Sequence, residues 1–188
     1  MPRNRTARRI RAPRGFSLIE LMIAVTIVGV LSTLALGGYK KYMSSARKSE
    51  VMSMFGELRA KEEAYRAEFS TYFPITTGGE DGIWPALLAA GEPVAKPWAV
   101  GALPAGWTGL GISPGKGQLY CGYSVISGSG GSLAGAGGRG TAYYGGIPPA
   151  TAWWYATSKC DNDGDPNSNA IFMTSSDRDT MTEKDANR

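Results

Sequence analysis

A short run near the C-terminal end of the sequence alternates oxygen-bearing side chains with other residues. Its members stand at two-residue steps and are Asp161, Asp163, Asp165 and Asn167. Ca²⁺ takes about six to eight oxygen ligands, which such side chains supply. The EF-hand pattern fails, because Pro166 stands where its glycine belongs. The run therefore predicts either a weak Ca²⁺ site or an Asx-rich turn between strands, and no other cofactor is expected.

A second motif lies in a glycine-rich stretch. Gly135, Gly137 and Gly140 match G-x-G-x-x-G. A dinucleotide site needs a strand before this motif and a helix after it, and the flanking residues, SGSGGSLA and TAYYGG, do not predict that context. The stretch 128–146 holds nine glycines in 19 residues, which predicts a flexible loop outside the core. The sequence contains no histidine, so histidine-activated nucleophiles and His-rich metal sites are excluded. We expect no enzymatic activity.

One carboxylate, Glu20, stands directly before an uncharged apolar run. The run covers 19 residues, Leu21–Tyr39, and about 20 such residues in a helix span a bilayer. Six arginines precede it and two lysines, Lys40 and Lys41, follow it. Because the basic residues are concentrated before the run, we expect a single-pass, N-in and C-out orientation. A secretory signal peptide is the alternative, but the run is long for one and has no clean small-x-small cleavage site.

The basic character of the chain belongs to its N-terminal tail. The formal net charge is +4, from 20 basic and 16 acidic residues. Residues 1–15 contain six arginines and no acid, so residues 16–188 carry 14 basic and 16 acidic residues, a net charge of −2. This charge gives no support to a nucleic-acid partner.

The residues GFSLIE at positions 15–20, with a basic leader before them and an apolar helix after them, resemble the N-terminal motif of type IV pilins and pseudopilins. The resemblance implies that a prepilin peptidase cuts between Gly15 and Phe16 and that Phe16 becomes an N-methylated terminus. It also implies that Glu20 pairs with the terminal amine of a neighbouring subunit during assembly. The pairing is physically sensible, because a carboxylate buried alone in an apolar core is costly.

The implied protein is a structural subunit of a type IV pilus-like filament that serves motility, adhesion or surface attachment. Its expected partners are further copies, other pilins, the prepilin peptidase, inner-membrane lipid and the pilus assembly machinery. It would lie in the inner membrane before assembly, and in an extracellular pilus or a periplasmic pseudopilus afterwards. Gly37 stands where many pilins have a proline, and the leader is longer than in many major pilins.

Three alternatives stay open at this point. The first two are a pseudopilin of a type II secretion system and a minor pilin. The third, from another class, is a signal-anchored periplasmic enzyme or receptor with a similar N-terminus. The lack of histidine and of a convergent catalytic motif counts against the third.

The expected fold is α+β, the type IV pilin fold, with a long N-terminal helix packed on a small antiparallel sheet. We predict a cleaved leader (1–15), a transmembrane or filament-core helix half (16–39), an amphipathic helix half (40–73) and a globular head (74–188). Apolar residues at three- and four-residue steps predict the amphipathic face. They are Val51, Met54, Phe55, Leu58, Tyr65, Phe69 and Tyr72.

The head is predicted to contain three strands and one disulfide. The strand predictions are 119–127, 152–158 and 170–174, with a polar tail from Ser175 that is either frayed or a last edge strand. Cys121 and Cys160 are the only cysteines, and in an exported protein an even pair suggests a disulfide. The family resemblance adds that many pilins carry such a bond in the C-terminal region.

Overall fold

The structure, a computed structural model, describes residues 15–75, 79–86, 96–98, 103–114, 117–161 and 170–184. Residues 1–14 of the predicted leader lie outside this part of the chain. The protein divides into two compact units, Met1–Tyr42 and Met43–Arg188. Helix α1 (Leu18–Phe69) begins in the first unit and ends in the second.

In the first unit, α1 is apolar on every side. Its large apolar side chains between Leu21 and Leu36 are 53–71% exposed. The helix is apolar and long enough to cross a membrane, judged by length and composition alone, and no part of its most apolar stretch is buried against the described residues. A helix that is hydrophobic all round requires an apolar environment on all its faces.

In the second unit, α1 is amphipathic, with one face buried. Val51, Met54, Phe55 and Leu58 are buried, as the three- and four-residue spacing predicts. Phe69 is an exception at 53% exposed. The buried face packs in one core cluster with residues of the sheet, and the ring of Phe55 meets that of Tyr123 edge-on at 6.2 Å.

The sheet has four antiparallel strands in sequential order. They are β3 (Cys121–Gly128), β4 (Trp153–Cys160), β5 (Ala170–Ser175) and β6 (Arg178–Lys184). The three predicted strands are confirmed to within two residues at each end. Of the two predictions for the tail, the last edge strand is confirmed: the tail forms β6, which ends at Lys184.

Smaller elements surround this sheet. A two-stranded sheet pairs β1 (Lys96–Pro97) with β2 (Gln118–Leu119). A 3-10 turn covers Gly79–Asp81, α2 covers Ala105–Gly109 and α3 covers Gly137–Tyr143.

Side-chain alternation along the strands builds a core on each face of the sheet. Tyr123 and Val125 of β3 lie in the same cluster as the buried face of α1. Ile126 of β3 and Tyr155 of β4 lie in a second cluster, together with Ala136 just before α3. Because successive strand residues point to opposite faces, α1 and α3 cover opposite faces of one sheet.

The prediction of a flexible glycine-rich loop at 128–146 is wrong. The segment contains α3, and Ala136 at its start is fully buried. Glycine composition suggests flexibility, but here two glycines allow close packing. A side chain at Gly140 would lie 2.4 Å from the ring of Tyr155, and one at Gly137 would lie 2.4 Å from Glu80.

The amphipathic helix ends earlier than the predicted residue 73. Ser70 has φ 58°, and its N–H donates to the Arg66 carbonyl at 2.8 Å. A left-handed residue directly after a helix is a common C-terminal cap. Tyr72 is still buried, so the chain turns back onto the core after α1.

Candidate functional site

The N-terminal end of α1 carries a reciprocal pair of hydrogen bonds. Ser17 Oγ accepts from the Glu20 N–H at 3.3 Å, and Glu20 Oε2 accepts from the Ser17 N–H at 3.1 Å. This is a capping box, in which two N–H groups without helical partners are satisfied at once. Sequence reasoning missed the role of Ser17, although S-x-x-E before an apolar run signals it.

The capping box fixes where the Glu20 carboxylate lies. Its Oε2 atom is turned back toward Ser17, the residue that follows Phe16. Phe16 is 81% exposed, and Gly15, also exposed, precedes the helix without regular secondary structure. An acid near the positive end of the helix dipole is also stabilised there. The structure thus brings the three residues of the predicted processing and assembly site to one exposed helix end.

Polar side chains inside the apolar run are satisfied by the helix itself. The hydroxyls of Thr26, Ser32 and Thr33 donate to carbonyls three or four residues earlier, at 2.7–2.8 Å. A hydroxyl bonded in this way needs no water. These three hydroxyls therefore present no unsatisfied donor to an apolar environment, lipid or protein.

In the second unit, a carboxylate joins α1 to the start of β3. Glu50 accepts hydrogen bonds from the N–H groups of Tyr120 (3.0 Å) and Cys121 (3.1 Å) and from the Tyr123 hydroxyl (3.2 Å). Burial, with the nearby Glu50 carboxylate, raises the pKa of the Tyr123 phenol well above its ordinary value. Glu50 thus holds the strand that bears the first cysteine.

Cys121 and Cys160 form a disulfide between directly opposed residues of β3 and β4. Their Cα atoms are 4.4 Å apart, the spacing of an antiparallel pair that exchanges no backbone hydrogen bonds. The bond closes a segment with a sequence separation of 39 residues. It holds together the two strands that carry most of the sheet core.

The predicted calcium ligands are only partly within the described residues. Asp161 is buried, and its main-chain oxygen accepts a hydrogen bond from the Arg47 guanidinium. A cation already at this carbonyl counts against it as a calcium ligand. Asp163, Asp165 and Asn167 lie outside the described residues. Within the described ranges, no group of three or more His, Cys, Asp or Glu residues could hold a metal.

The G-x-G-x-x-G motif meets a carboxylate of the same chain. Glu80 Oε1 accepts from the Gly140 N–H at 2.6 Å and lies 3.1 Å from the Tyr155 hydroxyl, while Oε2 is 3.5 Å from Arg139 Nε. The motif therefore anchors α3 to the 3-10 turn.

Comparison with known proteins points to the N-terminal segment. Residues 10–36 match the family model described as the prokaryotic N-terminal methylation motif. The chain is 34% identical over 77 residues to fimbrial protein EcpC of Eikenella corrodens, covering 41% of this chain and 42% of that protein.

Two further relatives are named as major pilus proteins. The chain is 44% identical over 50 residues to the type IV major fimbrial protein FimA of Dichelobacter nodosus (27% of this chain, 32% of FimA). It is 36% identical over 84 residues to the type IV major pilin protein PilE1 of Neisseria gonorrhoeae (45% of this chain, 33% of PilE1). The chain spans less than half the length of these curated relatives. No solved structure matches it.

Proposed function

We propose that this chain, which belongs to the type IV pilin family by its N-terminal segment, is a structural subunit of a type IV pilus-like filament. The observation that carries the proposal is the motif at residues 15–20, placed at the exposed end of an apolar helix half that none of the described residues covers. The role is structural rather than enzymatic.

The first step in this proposal is processing. A prepilin peptidase removes residues 1–15 by cutting between Gly15 and Phe16, and the new amine of Phe16 is methylated. The exposure of Phe16 and of Gly15, both of which precede the helix, supports access to this peptide bond. The peptidase and the assembly machinery are proposed partners, as is inner-membrane lipid around the apolar half of α1.

The second step is assembly through Glu20. A terminal amine with an ordinary pKa near 7.7 is largely protonated at neutral pH. In an apolar filament core, a carboxylate paired with such an amine is far less costly than an unpaired one. The capping box supports this role, because it turns the carboxylate toward the N-terminal end of α1. Pairing with a neighbour's amine would also select one axial offset between subunits.

The pilus interpretation is favoured over the pseudopilin one by the names of the relatives. All three relatives described above are fimbrial proteins or major pilins. We propose an inner-membrane location with the head outside before assembly and an extracellular filament afterwards. Dominance of the chain in sheared surface filaments would support a major pilin. Processed chain that stays in the envelope would instead support a pseudopilin or a minor pilin.

Calcium binding by Asp163, Asp165 and Asn167, with the Asp161 side chain, stays a separate proposal. A bound ion stabilises the folded state by mass action. The thermal midpoint should therefore rise in millimolar Ca²⁺ relative to EDTA and should not rise in Mg²⁺. An unchanged midpoint would leave the Asx-rich turn as the explanation.

The assembly role is tested by Glu20→Gln, with Glu68→Gln as the matched control. Both remove one carboxylate from α1, and Glu68 is an exposed residue near its other end. Quantifying the chain in sheared and membrane fractions should show that Glu20→Gln protein is processed but fails to reach the sheared fraction. Equal amounts of both variants in sheared filaments would contradict the proposal.

A further inference from the structure

A second carboxylate of α1 is buried where a carboxylate is least expected. Glu62 lies one turn after the buried Leu58 and has 0% exposed surface. Acidic residues are almost never fully buried without a cationic partner. None of the described salt bridges in this structure involves Glu62.

The hydrogen bonds of Glu62 are incomplete. Oε2 accepts from the Phe73 N–H at 2.9 Å. Oε1 is buried and has no hydrogen-bond partner among the described residues. An ionised carboxylate in this setting keeps an acceptor oxygen without a donor, which is costly, while a neutral carboxyl loses much less on burial.

Phe73 belongs to the segment 72–75, which follows the end of α1 and packs against α2. The ring of Phe73 lies edge-on to that of Tyr65, with centroids 5.1 Å apart. It also lies so close to Gly109 of α2 that a Cβ there would be 2.6 Å from the ring. Ile75 also packs closely against α2, because a Cβ added at Gly106 would be 1.9 Å from the Ile75 carbonyl oxygen. Holding Phe73 therefore holds residues 72–75 against α2.

The charges near Glu62 do not neutralise it. Glu63, next on α1, is an acid that bonds the Tyr72 hydroxyl at 3.0 Å, and Arg66 bonds the same hydroxyl at 2.8 Å. From the 72–75 segment, the only titratable group is the Tyr72 phenol, and α2 contains no titratable residue. Lys61 points to Gly111, where a Cβ would be 3.8 Å from Nζ.

We propose that Glu62 is a proton-controlled latch, which holds residues 72–75 on the end of α1 when it is neutral and loosens them when it ionises. The latch depends only on contacts within the second unit. A negative result for this proposal would not affect the filament role proposed above, and a negative result for the filament role would not affect this proposal.

The direction of the pH effect follows from the burial. Burial raises the pKa of Glu62 from 4.5 to about 7; the Phe73 N–H opposes this shift, and Glu63 adds to it. The closed form therefore binds more protons than the open form between these two values. Closure is then favoured at low pH and weakens as pH rises from 4.5 toward 7, with little further change above.

Hydrogen exchange of the full-length protein in detergent tests the latch. Protection factors of a peptide that contains Phe73 are compared at pH 5 and pH 8, with a β4 peptide as the internal reference. Ionisation should lower protection at Phe73 by roughly 10- to 100-fold relative to β4. Equal relative protection at both pH values in the wild-type protein would overturn the proposal.

Two variants separate the latch from a general charge effect. Glu62→Gln keeps an acceptor for the Phe73 N–H but cannot ionise, so the pH dependence at Phe73 should disappear. Glu68→Gln removes an exposed acid of the same helix and should leave the wild-type dependence in place. Full pH dependence in Glu62→Gln, or its loss in Glu68→Gln, would contradict the assignment. If Glu62→Gln does not fold, the wild-type profile alone decides.

Discussion

At the scale of single residues, two glutamates of α1 lie in opposite environments. Glu20 is exposed and shares a capping box with Ser17. Glu62 is buried and keeps one oxygen without a partner among the described residues. The first is suited to meet another molecule, and the second acts within the fold.

Ser17→Ala tests whether the capping box positions Glu20. It removes one of the two reciprocal bonds, and loss of an N-cap side chain costs about 1 kcal/mol. With the Glu20 carboxylate less well placed, we expect severalfold less protein in the sheared filament fraction. Ser17→Thr keeps a capping hydroxyl and should restore the yield.

The control is Ser32→Ala, which removes a hydroxyl bonded to a carbonyl within the same helix. Its yield should match that of the wild type. If Ser17→Ala also assembles at the wild-type level, the capping box has no part in placing Glu20.

At the scale of elements, α3 shows why glycine content misleads. Gly140 lies against Tyr155, and burial together with the adjacent Glu80 raises the pKa of that phenol well above its ordinary value. Gly138, in the same helix, has no positive φ, and a Cβ added there would meet no atom within 4 Å. One glycine is required by packing, and the other is not.

Gly140→Ala and Gly138→Ala therefore form a matched pair. The first forces a methyl group into the Tyr155 ring and should lower the free energy of unfolding by about 1–3 kcal/mol. The second should be neutral or slightly stabilising, because alanine is the better helix former. Urea unfolding measures both, and equal midpoints would contradict the packing of α3 described above.

The junction of α1 with β3 depends on Glu50, which accepts three hydrogen bonds. Glu50→Ala leaves the N–H groups of Tyr120 and Cys121 and the Tyr123 hydroxyl without this acceptor and should cost about 2–3 kcal/mol. Glu57→Ala removes an acceptor of one N–H, that of Ser113, and should cost about 1 kcal/mol. Urea midpoints in the reverse order would contradict the role of Glu50 in docking the strand.

At the scale of the whole molecule, some features of the fold can be predicted from the sequence and others cannot. Apolar periodicity located α1 and its buried face, and β-branched and aromatic runs located the strands of the head. The motif at residues 15–20 carries the similarity to type IV pilins, and it can be recognised because it is short-range and self-contained. These features depend on residues that are neighbours in the sequence, so they can be predicted from it.

Other features depend on residues distant in sequence and were not predictable. The glycine-rich segment is ordered by Glu80 and Tyr155, which lie on separate elements. The burial of Glu62 depends on the return of the chain at Phe73. The calcium expectation for Asp163 stays a prediction, because that residue lies outside the described part of the chain.

The central claim is that this chain is processed as a pilin before it acts. Its most direct test is the intact mass and N-terminal sequence of the protein purified from its native envelope. We expect a chain that begins at Phe16 and carries one added methyl group on its amine. A chain that still begins at Met1 in cells with an active prepilin peptidase would contradict it, and so would one that begins beyond Tyr39.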